Sequence, residues 1–206
     1  MGLWSDQLLP RLVAWGMRGE EFSTQRRDAL SSVSGRVLEL GFGAGLNVPC
    51  YPAGVTELLA LEPAQLNRRL AAARIAAAAF PVRWVGLRGE EIPLDDAAVD
   101  VVTSTWTLCT IPALDRALAE VRRVLRPGGR FVFLEHGLSP DPRLARWQNR
   151  LNGLQRRLFG GCHLNRAIGE LVRAGGFTIE TLDHPRMKGP RVASYLYRGT
   201  AVAEES

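Results

Sequence analysis

From Arg36 onward the chain alternates short, continuous apolar runs with segments of helical spacing. RVLEL (36–40) leads into a glycine loop, ELLALEP (57–63) follows, and QLNRRLAAARIAAAA (65–79) reads as a helix. A second series repeats the rhythm: PVRWVGL (81–87), VDVVTST (99–105), a helix over 114–125, the turn Arg126-Pro127-Gly128-Gly129, and RFVFLEHG (130–137). Runs that are apolar throughout, rather than at alternate positions, belong to parallel strands covered on both faces. The pattern therefore predicts an α/β fold, a doubly wound sheet with helices on each side. FTIETLDH (177–184) and RVASYLYRGTAV (191–202) add two strand candidates joined by a Pro- and Gly-containing loop, a terminal hairpin.

Two flanking segments lie outside that series. Leu8, Leu9, Leu12, Val13 and Trp15 sit at helical spacing. In PRLARWQNRLNGLQRRLFGG (142–161), Leu144, Trp147, Leu151, Leu154 and Leu158 form an apolar stripe opposite Arg143, Arg146, Arg150 and Arg157. These segments are expected to cover the sheet's carboxyl edge, with Leu8, Trp15, Trp147, Leu151 and Cys162 around an acceptor pocket. The basic face also allows peripheral membrane contact. The expected organisation is one domain over 1–206: an N-terminal cover helix (1–34), a core (36–137), a helical cover (138–175, its helices within 143–174) and a hairpin (176–200).

Composition narrows the class. Of 206 residues, 46% are hydrophobic and 23% charged, which excludes a disordered chain. Lys188 is the only lysine among 26 basic residues, and the formal charge of +5 reads as a solvated, arginine-rich surface. Cys50, Cys109 and Cys162 are odd in number and share no CxxC spacing, which points away from a disulfide framework and from a zinc site, so no metal is expected. The N-terminal stretch lacks the layout of a signal peptide, and no apolar run reaches the roughly 20 residues that span a bilayer. A cytoplasmic location is the expectation.

The candidate chemistry begins at RVLELGFGAGLN (36–47). A dinucleotide-binding loop spaces its glycines as G-x-G-x-x-G. Here Gly41, Gly43 and Gly45 follow Glu39 as E-x-G-x-G-x-G, and Glu62-Pro63 closes the next strand about 20 residues on, the order ribose recognition needs. This combination, with Arg88-Gly89-Glu90 after the third strand and LRPGGRFVFLEHG later, resembles class I S-adenosylmethionine-dependent methyltransferases over residues 36–137. The resemblance implies seven strands with one antiparallel, and S-adenosylmethionine across the ends of the first strands. It further implies that Glu39, Gly41, Phe42, Gly43 and Gly45 shape the loop, that Glu62 and Pro63 meet the ribose, and that Arg88, Gly89 and Glu90 meet the adenine. Arg88 stands where many relatives carry Asp, so backbone groups are expected there. Asn47, at the start of a helix after the loop, is expected at the cofactor carboxylate, and Thr105 and Trp106 at its methionine part.

VVTSTWTLCTIP (101–112), FLEHG, WQNRLNG and GGCHLNRAI further resemble the branch of methyltransferase-like alkyl thiol methyltransferases, which implies methyl transfer to a small hydrophobic thiol. A thiol calls for a base or a thiolate-favouring site, and histidine suits neutral pH. His136, ending a strand at the sheet's carboxyl edge, and His163, in a loop between cover helices, are the candidates; each also fits a structural histidine. Cys162 and Cys109 read as packing residues. Other acceptors stay open: a phospholipid or amine nitrogen, a quinone-type ring carbon, or none at all in an inactive cofactor-binding regulatory module. No nucleic-acid recognition motif and no obligate protein partner are expected.

Overall fold

In the computed structural model residues 4–204 are described; the ends of the expected cover and domain, 1–3 and 205–206, lie outside them. The chain opens with a π-helical turn (Trp4–Leu8), α1 (Leu9–Gly16) and α2 (Glu20–Leu30). Then follow β1 (Gly35–Leu40), β2 (Val55–Leu61), α3 (Gln65–Ala76), β3 (Val82–Gly86), β4 (Val99–Thr105), α4 (Leu114–Val124) and β5 (Leu125–His136). After α5 (Pro142–Leu158) and α6 (Ile168–Ala174), β6 (Phe177–Asp183) and β7 (Leu196–Ala203) complete the fold.

The seven strands lie in the order β3-β2-β1-β4-β5-β7-β6. Only β7 runs antiparallel to its neighbours; the other pairings are parallel. Both faces are buried, as the continuous apolar runs require: Val37, Leu58, Val101 and Val132 pack with Leu30 and Ala71 on one face, while Leu38, Leu59, Val102 and Phe131 pack with Leu118, Val121 and Val172 on the other. The chain leaves β1 toward β2 on one side and returns to β4 on the other. That reversal opens a crevice outside the carboxyl ends of β1 and β4, where open α/β sheets take their ligands.

Four local features differ from the sequence expectation. The N-terminal cover holds two α-helices rather than one, because α2 (EEFSTQRRDAL) has too few apolar residues to show a stripe yet buries Arg26, Ala29 and Leu30. No α-helix starts at Asn47; a one-turn 3-10 segment, Val48–Cys50, stands there around Pro49. α4 passes straight into β5, so the Pro127-Gly128-Gly129 turn lies inside the strand. In α5 only the first residue of the apolar stripe is fully packed: the helix buries Leu144 and, beside it, the polar Gln148, Leu151 is half-buried, and Trp147, Leu154 and Leu158 are exposed. Among the described residues no helix is long and apolar enough to cross a membrane.

Candidate active site

A cavity of about 650 Å³ opens at the carboxyl ends of β1, β2 and β4. Its floor is the turn after β1. Gly41 and Gly43 adopt φ of +64° and +56°, a conformation open to glycine at little cost. A Cβ at Gly41 would run into the Thr107 side chain. The Gly43 N–H donates to Glu62 Oε2 at 2.7 Å, so the acid that ends β2 fixes the loop that follows β1. The other Glu62 oxygen accepts from the Ala64 N–H at 2.8 Å and from Asn67 Nδ2 at 3.1 Å.

Glu39 lies under this floor and is 1% exposed. Its Oε1 accepts from Asn47 Nδ2 at 2.8 Å and its Oε2 from the Tyr51 hydroxyl at 2.9 Å. Burial pushes its carboxyl up to about 8, against the opposing pull of Tyr51, Asn47 and Arg26. Asn47 Nδ2 also donates to Thr105 Oγ1 at 3.0 Å, which leaves Asn47 Oδ1 buried without a protein partner among the described residues.

Arg26 reaches the same wall from α2. It is 3% exposed, donates from Nη1 to the Met17 carbonyl at 3.0 Å, and stands 4.8 Å from the Trp106 ring centroid. Its Nε is buried and unpartnered among the described residues. Burial lowers its pKa to about 10, so the guanidinium is charged at neutral pH. Trp106 itself has φ +50°, uncommon for a non-glycine residue and costly unless the surroundings enforce it. Arg26 and the edge of Phe22, 5.4 Å away between centroids, hold its ring.

Every residue expected to hold the cofactor lines this cavity except Gly45, which instead faces Phe42 and Ala71 and lets the loop pack on α3. Asn47 differs in role from the expectation, since its amide is engaged with Glu39 and Thr105 and no α-helix N-terminus stands beside it. Arg88 is exposed, with Gly89 buried beside it.

The expected acceptor residues are placed differently. Leu8, Trp15, Trp147, Leu151 and Cys162 do not line the cavity; Leu9, Pro10, Val13, Ala14, Phe159 and Gly160 do. The reason is rotational: α5 turns Gln148 inward, where it bonds three backbone groups, and that aims Trp147 at solvent with 55% exposure.

Neither expected base reaches the cavity. His163 sits in the α5–α6 loop, its N–H donating to the Cys109 carbonyl at 2.9 Å. His136, 8% exposed, places Nε2 3.0 Å from Cys162 Sγ, and Cys162 Sγ lies 3.5 Å from Cys109 Sγ. The thiol of Cys162 is held below its usual range, first by Cys109 and then, against burial, by His136. Glu135, on the neighbouring position of β5, accepts from Ser104 Oγ and from the N–H groups of Thr107 and Leu108, pinning the turn after β4. Sequence reasoning missed Arg26 and Tyr51, and neither stands in a motif or a periodic segment that could have singled it out.

The fit to a cofactor with an adenosine and an amino-acid end is direct: a side-chain-free floor, an acid at the end of β2, and two wall residues, Arg26 and Asn47, each with a spare buried polar atom. Residues 38–133 match the methyltransferase domain family. Thiol S-methyltransferase TMT1A of Homo sapiens is 32% identical over 211 residues, spanning 89% of this chain and 82% of that protein. Thiol S-methyltransferase TMT1B of Homo sapiens is 36% identical over 143 residues, 66% of this chain and 58% of that one. A geranyl diphosphate methyltransferase solved in complex with S-adenosylmethionine shares the fold with a TM-score of 0.70 at 16% identity, over 93% of this chain and 88% of that one. Aligned with a methyltransferase along most of both chains, and with the matching domain lying under the cavity, the chain belongs to the S-adenosylmethionine-dependent methyltransferases.

Proposed function

We propose that this enzyme methylates the sulfur of a small hydrophobic thiol. One observation carries the reading. The wall contributed by α1 and the end of α5, formed by Leu9, Pro10, Val13, Ala14, Phe159 and Gly160, has no ionisable side chain. A cationic amine would meet no carboxylate or aromatic cage on that wall, whereas a lipophilic thiol loses little by entering it. The names of the relatives aligned over most of the chain agree with that chemistry.

S-adenosylmethionine supplies a methyl group already activated on a sulfonium. The protein's work is then to bind, align and exclude water. Glu62 takes the ribose end, the Gly41–Gly43 backbone receives the cofactor closely, Arg26 holds the amino-acid carboxylate through a charge-assisted hydrogen bond, and Asn47, whose spare atom is the acceptor Oδ1, takes the ammonium. Gly89 and its neighbours, with Leu87 and Pro63, border the adenine. No imidazole lines the cavity, so the acceptor enters as its thiolate. A thiol of ordinary pKa supplies a few per cent of that form at pH 7, and the buried guanidinium of Arg26 favours an anion nearby.

The test is S-adenosylhomocysteine formation with product mass, over alkyl and aryl thiols, phosphatidylethanolamine, small amines and quinols. A methyl thioether is the expected product, with a rate that rises with pH toward the acceptor's own pKa and keeps that profile in His163→Gln. Turnover confined to amines, lipids or quinols overturns the thiol reading, and cofactor binding without any turnover favours a regulatory module.

A further inference from the structure

Behind the cavity wall, three residues far apart in sequence converge on one buried point. Cys109 comes from the turn after β4, His136 ends β5, and Cys162 stands in the α5–α6 loop. All three are buried, at 2%, 8% and 8% exposure. Their ligand atoms lie within 4.8 Å of one another, with Cys162 Sγ 3.5 Å from Cys109 Sγ and 3.0 Å from His136 Nε2. A tetrahedral zinc ion bound at about 2.3 Å to sulfur and about 2.0 Å to nitrogen sets its ligands about 3.8 Å apart for a sulfur pair and about 3.5 Å for sulfur and nitrogen. The two pairs that involve Cys162 lie within about half an ångström of that polyhedron, and the Cys109–His136 pair, within 4.8 Å, closes onto it by side-chain rotation.

We propose that Cys109, His136 and Cys162 form a binding site for a thiophilic divalent cation, Zn²⁺. The donor set, two thiolates and an imidazole, is that of a soft or borderline metal and excludes calcium or magnesium. Binding releases two protons: one from each thiol or, where Cys162 has passed its proton to His136, one from Cys109 and one from the ring, because thiolate and neutral imidazole are the ligating forms. Three protein donors leave the fourth position to a water or another small ligand.

The consequence is mechanical. The site ties together the turn after β4, the end of β5 and the cover loop. Thr110 and Gly160, which line the cavity, are each within two residues of a ligand. Metal binding thus fixes the cover against the sheet edge, where hydrogen bonds from Arg166 to the carbonyls of Leu108 and Ile111 already join the same segments.

The experiment uses the full chain, reduced and stripped with a chelator, then given Zn²⁺ alone and desalted, with metal counted by elemental analysis. One zinc per chain and a higher melting temperature are expected. Co²⁺ in its place should give a thiolate-to-metal charge-transfer band, absent in Cys109→Ala and in Cys162→Ala, each checked for folding by S-adenosylhomocysteine binding. If either variant fails to fold, the cobalt band of the unaltered chain decides, since only thiolate ligation produces it. No retained zinc and no cobalt band in the reduced chain, or retention that survives both substitutions, overturns the site.

Discussion

Arg26 and Glu39 are an ionisable base and acid buried in one wall, and neither hydrogen-bonds the other: Glu39 is bonded to Asn47 and Tyr51, and Arg26 to the Met17 carbonyl. A buried guanidinium with an unpartnered Nε is costly, and an incoming carboxylate removes that cost. Arg26→Gln should therefore weaken S-adenosylhomocysteine by about 1.5–3 kcal/mol, the range for a hydrogen bond to a charged group. 5′-Methylthioadenosine, which has the nucleoside but no carboxylate, should bind Arg26→Gln and the unaltered protein nearly alike. Calorimetry on both ligands checks this, and equal losses would show that Arg26 shapes the wall rather than binding the cofactor.

At the scale of elements, α5 shows what decides orientation when two faces compete. Asp141 caps the helix by accepting from the Arg143 N–H at 2.9 Å, with Pro142 in the first turn. The face is chosen by Gln148, fully buried, which accepts from the Ser139 N–H at 2.8 Å and donates to the carbonyls of Gly137 and Val192, each at 2.9 Å. Gln148→Leu strands all three backbone groups and should cost about 3 kcal/mol or more, since each buried unpaired group costs about 1–3 kcal/mol; denaturant unfolding measures it, and a neutral substitution would refute the anchoring role. This is also where the sequence was hardest to read. Periodicity located α5 and the strands, whose continuous apolar runs reflect burial on both faces, and the glycine spacing with Glu62 placed the cofactor floor. Periodicity could not orient α5, because its stripe is real but one polar residue outweighs it. Nor could spacing reveal Arg26, one arginine among many, or the meeting of Cys109, His136 and Cys162, which depends on a sheet order that brings β4 beside β5 and on the path of the cover loop.

For the whole molecule, Glu39 ties stability to pH. Its carboxyl is protonated up to about 8 when folded and to its ordinary 4.5 when unfolded, so between those values the folded chain binds the extra proton and stability falls as pH rises. Carboxylates held low in the folded state, such as Glu120 beside Arg123, act oppositely, losing stability as pH falls below their ordinary range. Glu39→Gln should thus gain on the unaltered protein as pH goes from 5 to 8, with the difference level beyond; denaturation at three pH values tests this, and a constant difference would count against it. The order of strands carries a separate consequence. β5, whose Phe131-Val132-Phe133-Leu134 run is buried, has β7 as its outer neighbour, with His136 opposite Leu196. During synthesis every element of the cofactor half emerges before that neighbour exists. Until the last strand arrives, β5 is an uncapped apolar edge able to pair with another chain, so a nascent or truncated polypeptide that already holds the whole cofactor loop is at its most aggregation-prone.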